Sequence, residues 1–134
     1  METVIVTIAK SENNYMACVE CLEGFICTAP TFEQLKDEVA KGVDFHIEGM
    51  KADGDPIPDI FQNQYRFEYK WDVESLLYYY DGIFTRAALE KLTGINQRQL
   101  GHYATGHSKP RPQQQRKIEQ ALHNLGNELI SVSL

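Results

Sequence analysis

The sequence has no long hydrophobic segment and few cysteines, and both absences narrow the class of protein. None of its apolar runs approaches the ~20 residues that a membrane-spanning helix needs. The N-terminus carries neither a basic region nor a signal-cleavage pattern, so we expect a cytoplasmic protein that does not enter a membrane. Three cysteines among 134 residues are too few for a disulfide scaffold. A protein in a reducing compartment also needs no disulfide.

The cysteines also lack the partners that a structural zinc site requires. Cys18 and Cys21 have the spacing of half such a site, with Cys27 and His46 as conceivable completions, but no second cysteine pair follows. Free cysteine packs readily as a small apolar residue. We therefore predict that the cysteines are small buried strand residues and that the chain holds no metal.

A catalytic nuclease is the least favoured class. Glu20, Glu23, Glu38 and Asp44 are available for Mg²⁺, but only Glu20 lies on a predicted strand. Strand alternation gives no reason for the four to converge, so we interpret them as solvated or partner-facing acids. His46 has no Ser or Cys at a recognisable spacing and is expected to be a packed or edge histidine. We predict no enzyme activity and no cofactor.

Acidic residues are missing from one long stretch, and this absence divides the chain. No Asp or Glu lies between Lys91 and Lys117. Residues 1–72 carry 6 Lys or Arg against 14 Asp or Glu, a net charge of −8, whereas residues 73–134 carry 7 against 5, a net charge of +2. The acidic half, residues 1–72, would be repelled by DNA and attracted to a basic protein. We predict two small domains, residues 1–71 and 72–134, with different partners.

The first 71 residues predict an α+β domain with the element order β-β-β-α-β. A β-branched run near the N-terminus is typical of a buried strand, and Asn13 and Asn14 form the turn of a hairpin. The last segment alternates aromatic with charged side chains, which indicates a strand with one buried face. The predicted strands cover residues 4–8, 15–20, 25–28 and 65–71.

A long amphipathic helix is predicted between the third and fourth strands. Thr31 caps this helix, Gln34 completes a capping box, and the helix ends near Gly49 or Lys51. Apolar residues at spacings of three and four form one stripe that is predicted to pack against the sheet. The stripe consists of Phe32, Leu35, Val39, Val43, Ile47 and Met50.

Residues 85–112 indicate two short helices joined by a glycine turn and followed by a basic loop. Thr85 caps the first helix, Gly94 ends it in the left-handed conformation, and Asn96 caps the second. The apolar face of the first helix is Ala87, Ala88, Leu89 and Leu92. Ile95 is predicted to fill the corner, and the second helix, residues 97–105, turns Leu100, Tyr103 and Ala104 inward before Gly106 stops it.

The outward face of the second helix is polar and basic, which suits DNA. Gln and Arg side chains make bidentate hydrogen bonds to adenine and guanine edges in the major groove, and Gly101 would permit close approach. Lys109 and Arg111 suit phosphates, and His102 suits either target. An ordinary helical hairpin is the alternative. The predicted DNA-binding residues are Asn96, Gln97, Arg98, Gln99, His102, Lys109 and Arg111.

A last helix from residue 113 to about 129 is expected to close a five-element helical domain. Its stripe of Ile118, Leu122, Leu125 and Leu129 is either wholly intramolecular, or the tail at residues 130–134 extends as a strand onto another subunit. Symmetric DNA half-sites lie ~34 Å apart and require a dimer, so we expect a homodimer or higher homo-oligomer. Among Tyr78, Tyr79 and Tyr80, at least one should be packed and the others exposed.

Residues 72–129 resemble the Cro and phage-repressor class of helix-turn-helix domains. The resemblance is carried by T-G-I-N-Q at residues 93–97 and Y-x-x-G at residues 103–106. That class usually has a small residue four positions before the turn glycine, where this chain has Glu90. The departure predicts that the first helix is displaced or slightly longer.

Residues 3–72 resemble the HicB antitoxin family, through V-E-C-L-E-G-F at residues 19–25, T-F-E-Q-L at residues 31–35 and D-G-D-P-I-P at residues 53–58. The resemblance implies a partial ribonuclease H-like domain that binds and inhibits a small basic HicA-like mRNA interferase toxin. It also implies a C-terminal domain that binds operator DNA and represses its own operon. The expected function is thus the antitoxin of a type II toxin-antitoxin pair. The alternative is a free-standing transcription regulator whose first domain dimerises or senses a ligand.

Overall fold

A computed structural model describes all 134 residues and divides them into two compact units, Met1–Asp72 and Val73–Leu134, named here the sheet unit and the helical unit. The fold is α+β, with one four-stranded mixed sheet and five α-helices. The strands are β1 (Glu2–Lys10), β2 (Tyr15–Val19), β3 (Ile26–Ala29) and β4 (Tyr65–Trp71). The helices are α1 (Phe32–Ala52), α2 (Val73–Tyr79), α3 (Arg86–Thr93), α4 (Gln97–Ala104) and α5 (Pro112–Ile130).

The sheet has the strand order β3-β2-β1-β4. Strands β1, β2 and β3 form an antiparallel meander in which Val6 lies opposite Val19. Strand β4 then pairs with β1 in parallel, with Val4 opposite Phe67. A parallel pair needs a long crossover connection, and α1 with the short 3₁₀ helix Asp59–Gln62 supplies it. The predicted order of strands and helix in this unit is confirmed.

Only one face of the sheet is fully buried. Val4, Val6 and Ile8 are completely inaccessible, whereas Ile5 is half-buried and Thr7 is exposed. Successive strand side chains point to opposite faces, and the apolar stripe of α1 joins the core on one of them. The expectation that the whole β-branched run lies in a buried strand is therefore right for one face only.

Helix α1 has the predicted cap and apolar stripe. The Thr31 hydroxyl accepts a hydrogen bond from the Gln34 backbone N–H at 3.1 Å, although the reciprocal side-chain bond of a capping box is not formed. The helix ends at Ala52, slightly beyond the predicted end. Leu35, Val39 and Val43 are fully buried at the centre of the stripe, and the three outer members are partly buried around the same core: Phe32, Ile47 and Met50.

Close packing against α1 depends on a glycine. A Cβ atom at Gly42 would lie 2.9 Å from the Phe25 ring, a distance that the two could not keep. The same ring makes an edge contact with His46, with centroids 5.8 Å apart. His46 is thus a partly buried packing residue at the edge of the core, as the sequence predicts.

The cysteines are less buried than predicted. Cys18 and Cys27 are half-buried, and Cys21 is exposed. The expectation of small buried residues is wrong for Cys21, which follows the end of β2, where the core face is supplied by Val19 and Leu22 instead. Burial raises the pKa of the Cys27 thiol, with Glu38 and Cys18 adding to the effect. Nowhere does the fold gather three or more His, Cys, Asp or Glu side chains into a metal-binding group.

The helical unit contains four helices rather than the five elements expected. Its core combines residues from all four helices and from the turn between α3 and α4: Leu77, Leu89, Ile95, Leu100, Tyr103 and Ile118. Tyr78 is exposed, while Tyr79 and Tyr80 are half-buried and make an edge contact at 4.9 Å. The tyrosine run therefore divides into packed and exposed members as predicted.

The apolar stripe of α5 leaves the core before the helix ends. Ile118 is buried, and Leu122 and Leu125 are half-buried. Leu129 and Ile130 are 58% and 84% exposed. Residues 131–134 form no strand. The outer end of the stripe is therefore uncovered within one chain.

Candidate nucleic-acid interface

Helix α3 begins and ends at the predicted signals. The Thr85 hydroxyl accepts a hydrogen bond from the Ala88 N–H at 3.0 Å. At the other end Gly94 has a φ of 75°, in the left-handed region that glycine adopts without strain, and its N–H donates to the Glu90 carbonyl at 2.8 Å. The helix therefore lies between the predicted cap and the predicted turn glycine, as Arg86–Thr93.

The inward face of α3 differs from the predicted one. Ala87 is exposed, whereas Leu89 and Thr93 are buried. The Thr93 hydroxyl donates to the Leu89 carbonyl at 2.7 Å and accepts from the Ile95 N–H at 3.1 Å. A buried polar group needs such partners to avoid a desolvation penalty. The predicted inward face omits Thr93, although a threonine directly before a turn glycine is visible in the sequence.

The turn into α4 is held by an apolar and a polar contact. Ile95 is buried between the helices, in the same cluster as Leu89 and Leu100. The Asn96 side chain accepts a hydrogen bond from the Arg98 N–H at 2.8 Å, and this bond caps α4. Both residues have the roles that the sequence predicts.

Glu90 forms a second cap on α4. One of its carboxylate oxygens accepts from the Gln97 N–H at 3.1 Å, and the other accepts from Gln97 Nε2 at 3.3 Å. The first backbone N–H groups of a helix lack intrahelical partners, and a negative charge is favourable at that end. Glu90 thus ties α3 to the start of α4. In the sequence Glu90 is only a departure from the class pattern, because a hydrogen bond between residues seven apart depends on the geometry of the turn.

The exposed side of α4 offers Arg98 as its free cation. The Arg98 side chain is exposed and makes no side-chain hydrogen bond or ion pair. Gln99 is half-buried, and its Nε2 donates to the Ser108 hydroxyl at 3.1 Å. Gly101 carries no neighbouring atom within 4 Å of the position that a Cβ would occupy. The surface of α4 is therefore open around Gly101, with Arg98 available to a ligand.

The segment after α4 folds back over the end of that helix. The Ser108 N–H donates to the His102 carbonyl at 3.3 Å, and the His102 and His107 rings lie 4.6 Å apart. Gly106, with a φ of 75°, makes the reversal. A Cβ at Gly106 would lie 2.6 Å from a Glu74 carboxylate oxygen, so α2 also packs closely here. Sequence reasoning did not predict the contacts of Ser108 or Glu74.

Two exposed cations follow this reversal, immediately before α5. Lys109 and Arg111 are exposed, and Arg111 precedes Pro112, the first residue of α5. No side chain caps the N-terminus of α5. The partial positive charge of a helix N-terminus therefore adds to the positive charge of the loop.

The structure divides the seven predicted DNA-binding residues into two groups. Four are exposed and make no hydrogen bond or ion pair with another side chain: Asn96, Arg98, Lys109 and Arg111. Gln97 is exposed but bonded to Glu90, Gln99 is bonded to Ser108, and His102 is half-buried beside His107. Among the predicted residues within α4, Arg98 is thus the one whose side chain can contact a ligand without breaking an internal contact.

Comparison of the chain with protein-family models, with curated proteins and with solved structures finds no match. No helix combines the length and the apolar character needed to cross a membrane.

Proposed function

We propose that this chain is the antitoxin of a type II toxin-antitoxin pair. In this proposal the sheet unit binds and inhibits a HicA-like mRNA interferase in the cytoplasm, and the helical unit binds operator DNA to repress the operon. The observation that carries the proposal is the capped α3–Gly94–α4 turn with Arg98 exposed on α4. The chain itself is proposed to have no enzyme activity.

The DNA-binding part is supported by the local charge as well as by the turn. The stretch from Lys91 to Lys117 contains no acidic residue, and Arg98, Lys109 and Arg111 are exposed within it. In a helix-turn-helix the second helix enters the major groove, and nearby cations contact phosphates. We assign base reading to Arg98 and phosphate contacts to Lys109 and Arg111.

The antitoxin part is supported by the topology and charge of the sheet unit. An antiparallel β1-β2-β3 meander followed by α1 and a parallel β4 is compatible with a partial ribonuclease H-like fold, as the resemblance to the HicB family implies. The net charge of residues 1–72 is −8, from 6 Lys or Arg against 14 Asp or Glu. Such a surface favours association with a basic protein and disfavours DNA.

A homodimer is part of the proposal. Two helix-turn-helix units reach successive major grooves ~34 Å apart only when a dimer holds them. The exposed apolar end of α5, with Leu129 and Ile130, continues the stripe that packs in the core, and we assign it to a second copy of the chain.

Co-expression with the adjacent gene tests the proposal. That gene should encode a small basic protein that arrests growth when expressed alone, and this chain should restore growth and co-purify with it. The purified chain should also bind the DNA upstream of its own gene. DNA binding without rescue or complex formation would favour the free-standing transcription regulator, and the absence of all three results would contradict both functions.

A further inference from the structure

Phe45 on α1 is the most exposed aromatic side chain in the protein, at 80%. Its helix buries a continuous stripe that includes Leu35, Val39 and Val43, so folding does not require an apolar residue at position 45. Phenylalanine is a weaker helix former than alanine or lysine at an exposed site. The ring therefore contributes little to the stability of the sheet unit.

Gly49, four residues after Phe45, leaves one side of the ring without a neighbouring side chain. It is one of the four positions that adjoin residue 45 on a helix surface, and a Cβ there would have no atom within 4 Å. Gly42, three residues before Phe45, is covered by the Phe25 ring. A partner can therefore approach the Phe45 ring and the helix backbone on the Gly49 side.

Carboxylates dominate the surroundings of Phe45. Glu48 lies one turn after Phe45, and Glu38 lies two turns before it, close enough to Cys27 to raise the pKa of that thiol. Glu23 is exposed in the turn that leads to Phe25, whose ring packs on Gly42. Lys41 is the one cation at a neighbouring helix position. An apolar centre with a charged rim is the usual arrangement of a protein-binding hot spot.

We propose that Phe45 is the anchor through which the sheet unit binds a small basic protein. The ring would enter an apolar pocket of that protein, and lysine or arginine side chains at the rim of the pocket would face Glu38 and Glu48. This inference rests on the proposed function, since the partner is the basic nuclease toxin, and it adds the surface that the toxin occupies.

Charge selects the basic protein over a second copy of the chain. Two sheet units, each with a net charge of −8 over residues 1–72, would repel each other across this surface. A basic partner would instead be attracted, and complementary charge mainly accelerates association. The exposed end of α5 in the helical unit is free of this repulsion and remains the surface assigned to the homodimer.

The test measures binding of the full chain to the protein encoded by the adjacent open reading frame. Phe45→Ala should weaken binding about thirtyfold, the loss typical of a hot-spot residue, with no loss of thermal stability. Ile83→Ala is the matched control, because Ile83 is 70% exposed in the helical unit and its truncation should leave the affinity unchanged. Glu38→Lys combined with Glu48→Lys should slow association and reduce its dependence on salt.

The outcomes separate this inference from the proposed function. If wild type binds and Phe45→Ala binds equally well, the docking surface is wrong and the antitoxin function stands. If wild type itself fails to bind, both are overturned. If Phe45→Ala converts a wild-type dimer into a monomer without changing affinity for the basic protein, the surface belongs to a second copy and the inference is overturned.

Discussion

The carboxylate of Glu90 accepts two hydrogen bonds from Gln97, one from its backbone N–H at 3.1 Å and one from its side-chain Nε2 at 3.3 Å. These bonds join the last turn of α3 to the first residue of α4 across Gly94. The residue that departs from the Cro and phage-repressor pattern therefore stabilises the turn in this chain. It also occupies the side chain of Gln97, one of the residues predicted to bind DNA.

Glu90→Ala should destabilise the turn. The loss of both bonds leaves the Gln97 N–H uncapped, and capping interactions of this kind contribute about 1 kcal/mol. Hydrogen exchange at the amides of α4 should accelerate in the variant. Glu119→Ala removes the same charge from the exposed surface of α5 and should leave α4 exchange unchanged. Equal protection of α4 in wild type and Glu90→Ala would mean that the bonds contribute nothing.

Arg98→Ala and Lys109→Ala should weaken DNA binding in different ways. Arg98 lies on the exposed side of α4, and its loss should cost about 1–3 kcal/mol on operator DNA and relax specificity at one base pair. Loss of the Lys109 phosphate contact should weaken binding evenly and reduce the salt slope by about one. Both are measured by titrating specific and scrambled duplexes at several salt concentrations.

Lys41→Ala is the matched control for these two variants. It removes one positive charge from the exposed surface of α1 in the sheet unit and should leave DNA affinity unchanged. Equal losses for Lys41→Ala and Arg98→Ala would indicate a net-charge effect instead of base reading. Unchanged binding in Arg98→Ala and Lys109→Ala would move recognition to another surface.

Gly101→Ala should change stability and DNA binding in opposite directions. Gly101 lies inside α4 with no positive φ and with open space around its Cα, so alanine should stabilise the helix by about 0.5–1 kcal/mol. The added methyl group would stand between α4 and the floor of the major groove and should weaken operator binding. Denaturant unfolding and DNA titration give the two readouts. A stabilised variant with undiminished affinity would show that this side of α4 does not face DNA.

Gly94→Ala provides the contrast to Gly101→Ala. Its φ of 75° is strained for alanine, so the substitution should destabilise the helical unit by about 1 kcal/mol or more, although no atom lies within 4 Å of the new Cβ. The same chemical change thus has opposite effects on stability at the two positions, because only Gly94 occupies the left-handed region. Stabilisation by Gly94→Ala would contradict this account of the turn.

Leu129→Asp should convert a dimer into a monomer. Leu129 is 58% exposed on the outer part of the α5 stripe, and a charge there would have to be desolvated at an apolar interface. Sedimentation equilibrium measures the change, and operator affinity should fall with it. Asn127→Asp adds the same charge to an exposed position on the same turn, away from the stripe, and should remain dimeric. A dimeric Leu129→Asp would place the self-association surface elsewhere.

The sheet unit should lose stability at alkaline pH. Burial raises the pKa of Tyr65, with Asp44 adding to the effect, and burial likewise raises the pKa of Tyr69. A phenol whose pKa is raised on folding stabilises the protein fully below its unfolded value, near 10, and that contribution is lost as the pH rises through the folded value. Urea unfolding measured between pH 8 and about 11 should show this decline. Tyr65→Phe combined with Tyr69→Phe should reduce its slope, and an unchanged slope would assign the decline to other groups.

The sequence by itself determined the order of the elements in the sheet unit and several of the residues that begin or end helices in both units. Alternation predicted β4, the three-and-four spacing predicted the buried stripe of α1, and Thr31, Thr85 and Asn96 all cap the helices predicted for them. Gly94 and Gly106 likewise take the left-handed conformation at the predicted helix ends. These features depend on backbone conformation and hydrogen bonds within a few residues, and such local preferences are visible in the sequence.

Only the tertiary structure decided which side chains remain available. It showed that one face of β1 is not fully buried, that Cys21 is exposed, and that the apolar stripe of α5 ends outside the core. It also showed that Gln97 is hydrogen-bonded to Glu90 and Gln99 to Ser108, while Arg98 between them stays exposed. Each of these outcomes depends on where a turn brings one element against another. Sequence spacing alone therefore identified the residues of the candidate interface but not which of them are free to bind.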